Sequence, residues 1–179
     1  EQFEFENLVT GGAIPTQYMP AVEKGFKECM AKGPKMEYPV TGAKVVLNDG
    51  ASHSVDSSDM AFKAAARGAF REVYGRARPV IHEPIMKVVV ETPNEFQGAV
   101  MGSLNQRRGL IVGSQDEGMM SVIEAEIPLS EMFGYSTVLR SLTQGKAQFT
   151  MEFATYREVP KSVAEELAKK AAEAKQHVA

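Results

Sequence analysis

The sequence predicts an α+β protein made of two consecutive α/β sandwich domains and a C-terminal helix. Several short stretches alternate apolar and polar residues, which is typical of strands with one buried face, and longer stretches repeat apolar residues every three or four positions, as amphipathic helices do. The composition changes near the middle of the chain, where Pro79 and Pro84 bracket a short connector. We therefore place the domains at residues 1–83 and 84–158 and the final helix at residues 159–179.

The bulk properties of the chain exclude several classes of protein. Its 179 residues, 44% hydrophobic, suffice for one large or two small domains with hydrophobic cores. The apolar runs are far shorter than the roughly 20 residues of a membrane span, and the single cysteine, Cys29, allows neither an internal disulfide nor a thiolate metal cluster. A net charge of -3 argues against indiscriminate coating of nucleic acid. We expect a monomeric cytoplasmic protein that does not enter membranes and, because it begins with Glu1 instead of methionine, one that is part of a longer chain.

The first half of the chain has the pattern strand, helix, strand, helix. Phe3 and Phe5 alternate with glutamates, as in a strand with one buried face. Pro20 suits the start of a helix, because the N–H that proline lacks is not needed there. The predicted elements are a strand at residues 3–9, a helix from Pro20 that buries Val22, Phe26, Cys29 and Met30, a strand at residues 43–47, and a helix at residues 60–74 that buries Phe62, Ala66, Ala69, Phe70 and Val73.

An exposed loop at residues 48–59 joins the second strand to the second helix. Asp49-Gly50 favours a tight turn. Asp56 is predicted to cap the following helix and Asp59 to lie in its first turn, where a carboxylate interacts favourably with the helix dipole. These signals place His53 at the tip of the loop.

The second half of the chain predicts a β-α-β-β-α-β order, which is the ferredoxin-like pattern. Thr92 is expected to cap the first helix, Ser130 the second, and Ser162 the final helix of the chain. The last strand alternates regularly, with Ala147, Phe149, Met151 and Phe153 facing inward. The predicted elements are strands at residues 86–91, 110–112, 121–127 and 147–153, a helix that ends at Gly109, a hairpin turn at residues 115–118, and a helix that ends at Gly145.

The candidates for catalysis are few. His53 and Asp56 could exchange protons near neutral pH, but the sequence places no serine, cysteine or second histidine beside them, so a stand-alone hydrolase is the remote alternative. His82 and His177 are too dispersed to suggest a metal site. A phosphate-binding loop of the P-loop type is also absent from the sequence. We therefore predict no catalytic, metal or nucleotide site in this chain.

Two groups of basic residues could contact phosphates. Lys63, Arg67 and Arg71 recur every four residues on one face of the second helix, where they form either a solvated surface or a contact with an RNA backbone. Arg107 and Arg108 lie at the end of the next helix, where cations interact favourably with the helix dipole and are expected to face water. A phosphate contact is the alternative for this pair.

Several ordered motifs resemble the C-terminal part of bacterial elongation factor G, over nearly the whole chain. They are Gly11-Gly12-Ala13-Ile14-Pro15, Tyr18-Met19-Pro20-Ala21-Val22-Glu23-Lys24-Gly25, His53 with Val55-Asp56-Ser57-Ser58, Glu83-Pro84-Ile85-Met86, Arg107-Arg108-Gly109, and residues 128–137 with Leu139-Arg140-Ser141.

The resemblance implies a more specific architecture. Residues 1–83 would form most of the family's fourth domain, a fold like the second domain of ribosomal protein S5 with a left-handed β-α-β crossover, incomplete at its N-terminus. The following residues would form the ferredoxin-like fifth domain. The GTPase domain, with its GTP and Mg²⁺, would lie upstream, so this chain would hold no cofactor of its own.

The resemblance also implies a function in translation. The parent factor would couple GTP hydrolysis to movement of mRNA and tRNA on the ribosome, with rRNA and ribosomal proteins as further partners. A rigid tip would enter the decoding region beside the codon and anticodon and block their return. Arg107 and Arg108 would approach large-subunit rRNA. The alternative to a translocation factor is a paralogue that acts in ribosome recycling or in ribosomal protection. The tip contacts implied are Gly12, Ala13, Ile14, Pro15, Ser52, His53, Ser54, Val55 and Asp56.

Overall fold

The structure is a computed structural model that describes residues 3–176. It divides into two compact units, one comprising the chain up to Pro79 together with the chain from Glu165, and the other comprising Val80–Ala164. Each described unit combines helices with its own sheet. The predicted α+β class is therefore confirmed.

The first unit has a parallel pair of strands and two helices. In the pair, Phe5 lies opposite Val45, and the half-buried side chains of both contact the core of the two helices. Its elements are β1 (Phe3–Asn7), α1 (Met19–Met30), β2 (Ala43–Leu47) and α2 (Asp59–Tyr74), with a short 3-10 turn at Thr16–Tyr18. The buried residues of this core are Ile14, Val22, Phe26, Met30, Phe62, Ala66 and Phe70.

Fewer residues of α2 are buried than its sequence predicts. Ala69 and Val73 are exposed, although their spacing predicts an inward position. Among the described residues the sheet of this unit has two strands, too narrow to cover the whole apolar stripe of α2. Cys29, predicted to be a core residue, is half-buried beside the core.

The second unit confirms the ferredoxin-like order. Its described strands form an antiparallel sheet in the order β4-β5-β3-β6, and β3 and β5 carry fully buried residues such as Val88 and Ile123. Leu104 and Tyr135 pack against them from the helices. The elements are β3 (His82–Pro93), α3 (Gln97–Gln106), β4 (Leu110–Glu117), β5 (Met120–Pro128), α4 (Leu129–Met132), α5 (Tyr135–Leu142) and β6 (Gln148–Glu158), and the chain continues into α6 (Lys161–Gln176).

The predicted helix caps of this half are wrong. Thr92 is fully buried inside β3, and Ser130 and Ser162 lie inside α4 and α6 respectively. The helix predicted from Ser130 is in fact two, since Gly134 adopts a left-handed conformation (φ 74°) that interrupts it. Capping signals therefore located the ends of helices less reliably than periodicity located their existence.

Two apolar side chains of β6 are more exposed than the sequence predicts. Met151 and Phe153 were expected to face inward, but both are exposed, because β6 is the last strand of the described sheet and its outer end is uncovered.

Within residues 3–176, no helix is long and apolar enough to cross a membrane.

Candidate functional site

Two loops of the first unit come together at one end of its sheet. Because β1 and β2 run parallel, the loops that follow them leave the sheet at the same edge. Ile14 of the first loop is only 5% exposed, and it packs on Gly50 of the second, where an added Cβ would lie 2.6 Å from Cγ1 of Ile14. We call the surface formed by residues 10–15 and 48–58 the tip.

The first loop of the tip is shaped by glycine and anchored by one side chain. Gly11 and Gly12 have φ values of 66° and 71°, a left-handed conformation that other residues adopt at a cost. Gly12 is exposed, whereas Ala13 and Pro15 are half-buried. Ile14, which the resemblance implies to be a contact residue, has a buried side chain that joins the two loops.

Ser57 holds the main chain of His53 from both sides. The N–H of His53 donates to Oγ of Ser57 at 2.8 Å, and the N–H of Ser57 donates to the carbonyl of His53 at 3.2 Å. The Tyr18 hydroxyl donates to the Ser57 carbonyl at 3.3 Å, and the Tyr18 ring stacks on Phe62 with centroids 4.7 Å apart. The tip histidine is therefore tied to the hydrophobic core through Ser57 and Tyr18. Sequence reasoning missed both residues.

The His53 side chain itself faces solvent. It is 68% exposed, and its Nδ1 accepts the N–H of Val55 at 3.3 Å. The nearest carboxylate oxygen, Oδ2 of Asp56, lies 3.5 Å from Nδ1 on a side chain that is 81% exposed. A long contact between two hydrated groups provides little of the orientation that acid–base catalysis requires. The arrangement is suited to contacting a partner.

The cap of α2 differs from the prediction. Oγ of Ser58 accepts the N–H of Ala61 at 3.1 Å, so Ser58 and not Asp56 caps the helix. Asp59 lies in the first turn, as predicted. The difference arises because Asp56 is part of the turn that closes on Ser57, two residues too early to reach the N–H groups of α2. Ser52, Ser54 and Val55 are exposed beside it.

Metal ligands are not concentrated in the described part of the chain. Among residues 3–176, no group of three or more His, Cys, Asp or Glu side chains is placed to hold a metal ion. His82 is exposed at the start of β3, and His177 lies outside the described residues.

The basic residues of α2 are partly engaged within the protein. Nζ of Lys63 lies 2.5 Å from the carboxylate of Glu28 on α1, and this contact lowers the pKa of Glu28. Arg67 is half-buried and Arg71 is exposed. Of the three predicted phosphate contacts, Arg71 is thus the one whose side chain faces solvent, while Lys63 joins the two helices.

Arg107 and Arg108 are half-buried and hold the second unit together, whereas we expected them to face water. The Arg107 guanidinium donates to the main-chain carbonyl of Glu131 and lies 5.1 Å from the centre of the Tyr135 ring. Arg108 forms a bidentate pair with the Glu83 carboxylate, which raises the pKa of the arginine. Removing either side chain would therefore disturb the fold as well as any RNA contact.

Comparison with known proteins agrees with these features. The family model "Elongation factor G, domain IV" matches residues 1–78, and the model "Elongation factor G C-terminus" matches residues 80–167. The chain is 72% identical over its full length to Elongation factor G 1 of Syntrophus aciditrophicus and 60% identical over 96% of its length to Elongation factor G 2 of Anaeromyxobacter dehalogenans. It covers 26% and 25% of those proteins, so it spans about a quarter of their length.

A solved structure supports the same assignment. The crystal structure of a protein from Thermus thermophilus aligns with a TM-score of 0.85 at 42% identity, over 97% of this chain and 26% of that one. The resemblance seen in the sequence is thereby confirmed by family models, by relatives and by structure. The chain belongs to the elongation factor G family, of which it carries domain IV and the C-terminal region.

Proposed function

We propose that this chain is the ribosome-binding part of a translational GTPase that promotes GTP-dependent translocation of tRNA and mRNA in the cytoplasm. The observation that carries the proposal is the packing of Ile14 on Gly50, which joins two loops into one body and leaves His53 exposed at its end. Family membership supports the setting, since elongation factors act in protein synthesis.

The tip acts by position and shape. Ser57 and Tyr18 hold the His53 main chain against the core of the unit, so the loop can resist displacement when it is pressed against RNA. Because Nδ1 of His53 accepts the Val55 N–H, Nε2 is the ring nitrogen that can reach a base edge, a ribose hydroxyl or a phosphate. A wedge of this kind blocks the backward movement of codon and anticodon with few polar contacts.

The chemical energy comes from elsewhere in the full-length protein. GTP and its Mg²⁺ belong to the GTPase domain of the parent factor, and we propose no role for this chain in their chemistry. The chain alone is expected to bind no GTP. Isothermal calorimetry that detects a micromolar site on it would contradict this part of the proposal.

The test uses the full-length factor. His53→Ala should slow translocation in a pre-steady-state assay while GTP hydrolysis on the ribosome stays near the level of the unchanged protein, because the tip holds position and does not cleave GTP. His82→Ala, which removes another exposed histidine outside the tip, is the matched control and should change neither rate. Normal translocation with lost GTP hydrolysis in the His53 variant would overturn the proposal.

A further inference from the structure

Asp49 and Gly50 have a geometry that bears on the chemistry of the main chain. Both residues are exposed in the loop that follows β2. The main-chain N–H of Gly50 donates to Oδ1 of Asp49 at 2.7 Å. Since Oδ1 is bonded to Cγ, this hydrogen bond holds the Gly50 nitrogen beside the carboxyl group of the preceding residue.

This arrangement favours one covalent reaction. The Gly50 nitrogen can attack Cγ of Asp49: a new N–C bond forms, one C–O bond of the carboxyl group breaks, and the departing oxygen leaves as water with the amide proton and a proton from solvent, which gives a five-membered succinimide. Water then opens the ring at either carbonyl, which restores aspartate or gives isoaspartate, so the sequence of steps needs no oxidant or reductant. A glycine after the aspartate favours ring closure, because it has no side chain to obstruct the rotation of the main chain.

The fold keeps glycine at position 50. A Cβ there would lie 2.6 Å from Cγ1 of Ile14, and Ile14 is the buried side chain that joins the two loops. Replacement of Gly50 by a residue that slows ring closure would therefore have to displace the buried Ile14 side chain. The contact that makes the tip rigid thus retains a reactive Asp-Gly pair at its base.

We propose that Asp49 is a site of spontaneous conversion to isoaspartate in the folded protein. Isoaspartate carries the main chain through the side-chain carbon and so lengthens the backbone by one methylene group shortly before His53. This lengthening displaces Gly50 from Ile14 and loosens the tip. The inference concerns the chemistry of the folded chain and does not depend on the proposed ribosomal role.

The experiment is incubation of the folded chain at neutral pH and body temperature in heavy-oxygen water, followed by digestion and mass spectrometry. Each succinimide that opens takes up one heavy oxygen, and isoaspartate is separated from aspartate by chromatography and fragmentation. Label and isoaspartate should accumulate at Asp49. They should stay at background at Asp56 and Asp116, which are exposed aspartates followed by bulkier residues in the same digest.

Two comparisons make the result decisive. Asp49→Glu should abolish the labelling at position 49, because ring closure would then require a larger ring. A sample unfolded in urea measures the reactivity of the bare sequence. Label at Asp49 in the unfolded sample with background label in the folded one would overturn the proposal, as would equal label at Asp49 and Asp56. After conversion, the amide of His53, which donates to Oγ of Ser57, should exchange hydrogen faster than in the unconverted protein, and unchanged exchange would refute the claim that the tip loosens.

Discussion

The contact between α1 and α2 at Gly25 gives a stability test that does not depend on function. A Cβ at Gly25 would lie 2.8 Å from the carbonyl oxygen of Lys63 and 2.8 Å from Cβ of Ala66. The first of these neighbours is main chain inside a helix, so it can move only if the two helices separate. Gly25→Ala is therefore expected to destabilise the first unit.

The magnitude follows from two opposing terms. Replacement of glycine by alanine inside a helix is worth about 1 kcal/mol in favour of alanine. Overpacking of a well-packed contact costs about 1–3 kcal/mol, and a clash with main chain belongs at the upper end of that range. We expect a net loss of about 1–2 kcal/mol in the free energy of unfolding.

Gly68→Ala is the matched control. Gly68 is exposed on α2, and among the described residues nothing lies within 4 Å of a Cβ added there. This substitution should therefore stabilise the unit by about 0.5–1 kcal/mol, because only the helix-propensity term applies.

The assay is urea unfolding of the 179-residue chain by circular dichroism, with hydrogen exchange of the α2 amides to isolate the first unit. The midpoint of the transition should fall for the Gly25 variant and rise for the Gly68 variant, with the slope unchanged. If both substitutions raised the midpoint equally, the inferred approach of the two helices would be wrong.

Three further experiments test named contacts. Ser58→Ala should destabilise α2 by about 1 kcal/mol through loss of the cap, whereas Asp56→Ala should leave urea unfolding nearly unchanged; the reverse order would restore Asp56 as the cap. Lys63 lowers the pKa of Glu28, so their interaction contributes stability above the ordinary pKa of a glutamate and loses it as the pH falls through the lowered value. Lys63→Met should return the Glu28 pKa toward normal in a carbon-13 NMR titration, and an unchanged pKa would exclude the contact. Burial raises the pKa of the Cys29 thiol, so iodoacetamide should alkylate it more slowly in the folded chain than in denaturant, and equal rates would contradict its burial.

Periodicity predicted most of the fold, because it reflects which side of an element is buried. The β2 strand lies at the predicted residues, and α1 and α2 begin within one residue of their predicted starts. The break between α4 and α5 was not predictable in this way, since Gly134 lies within a continuous amphipathic pattern and its left-handed conformation is a tertiary outcome. The exposure of Met151 was equally unpredictable, because alternation identifies a strand but does not show whether other elements cover that part of the sheet.

The tip shows the same division between local and long-range information. The sequence placed His53 on an exposed loop through turn and helix-start signals close to it. The roles of Ile14 and Ser57 depend on contacts with Gly50 and Tyr18, residues far away in the chain, which no local pattern encodes. The residues that position the tip were therefore found from the structure, and the residue it presents was found from the sequence.

The charge distribution bears on the proposed contact with RNA. Lys63 is paired with Glu28, Arg108 with Glu83, and Arg107 with main-chain carbonyls, so these cations already have partners within the protein. The logarithm of the affinity for nucleic acid falls linearly with the logarithm of the salt concentration. The slope is about 0.7–0.9 for each phosphate that the protein neutralises. These cations would have to leave their partners to add to that number, and the tip itself contains no lysine or arginine. We therefore infer that the tip contributes little salt-dependent affinity. Its contribution to the proposed function is then the position and stiffness of the loop around His53.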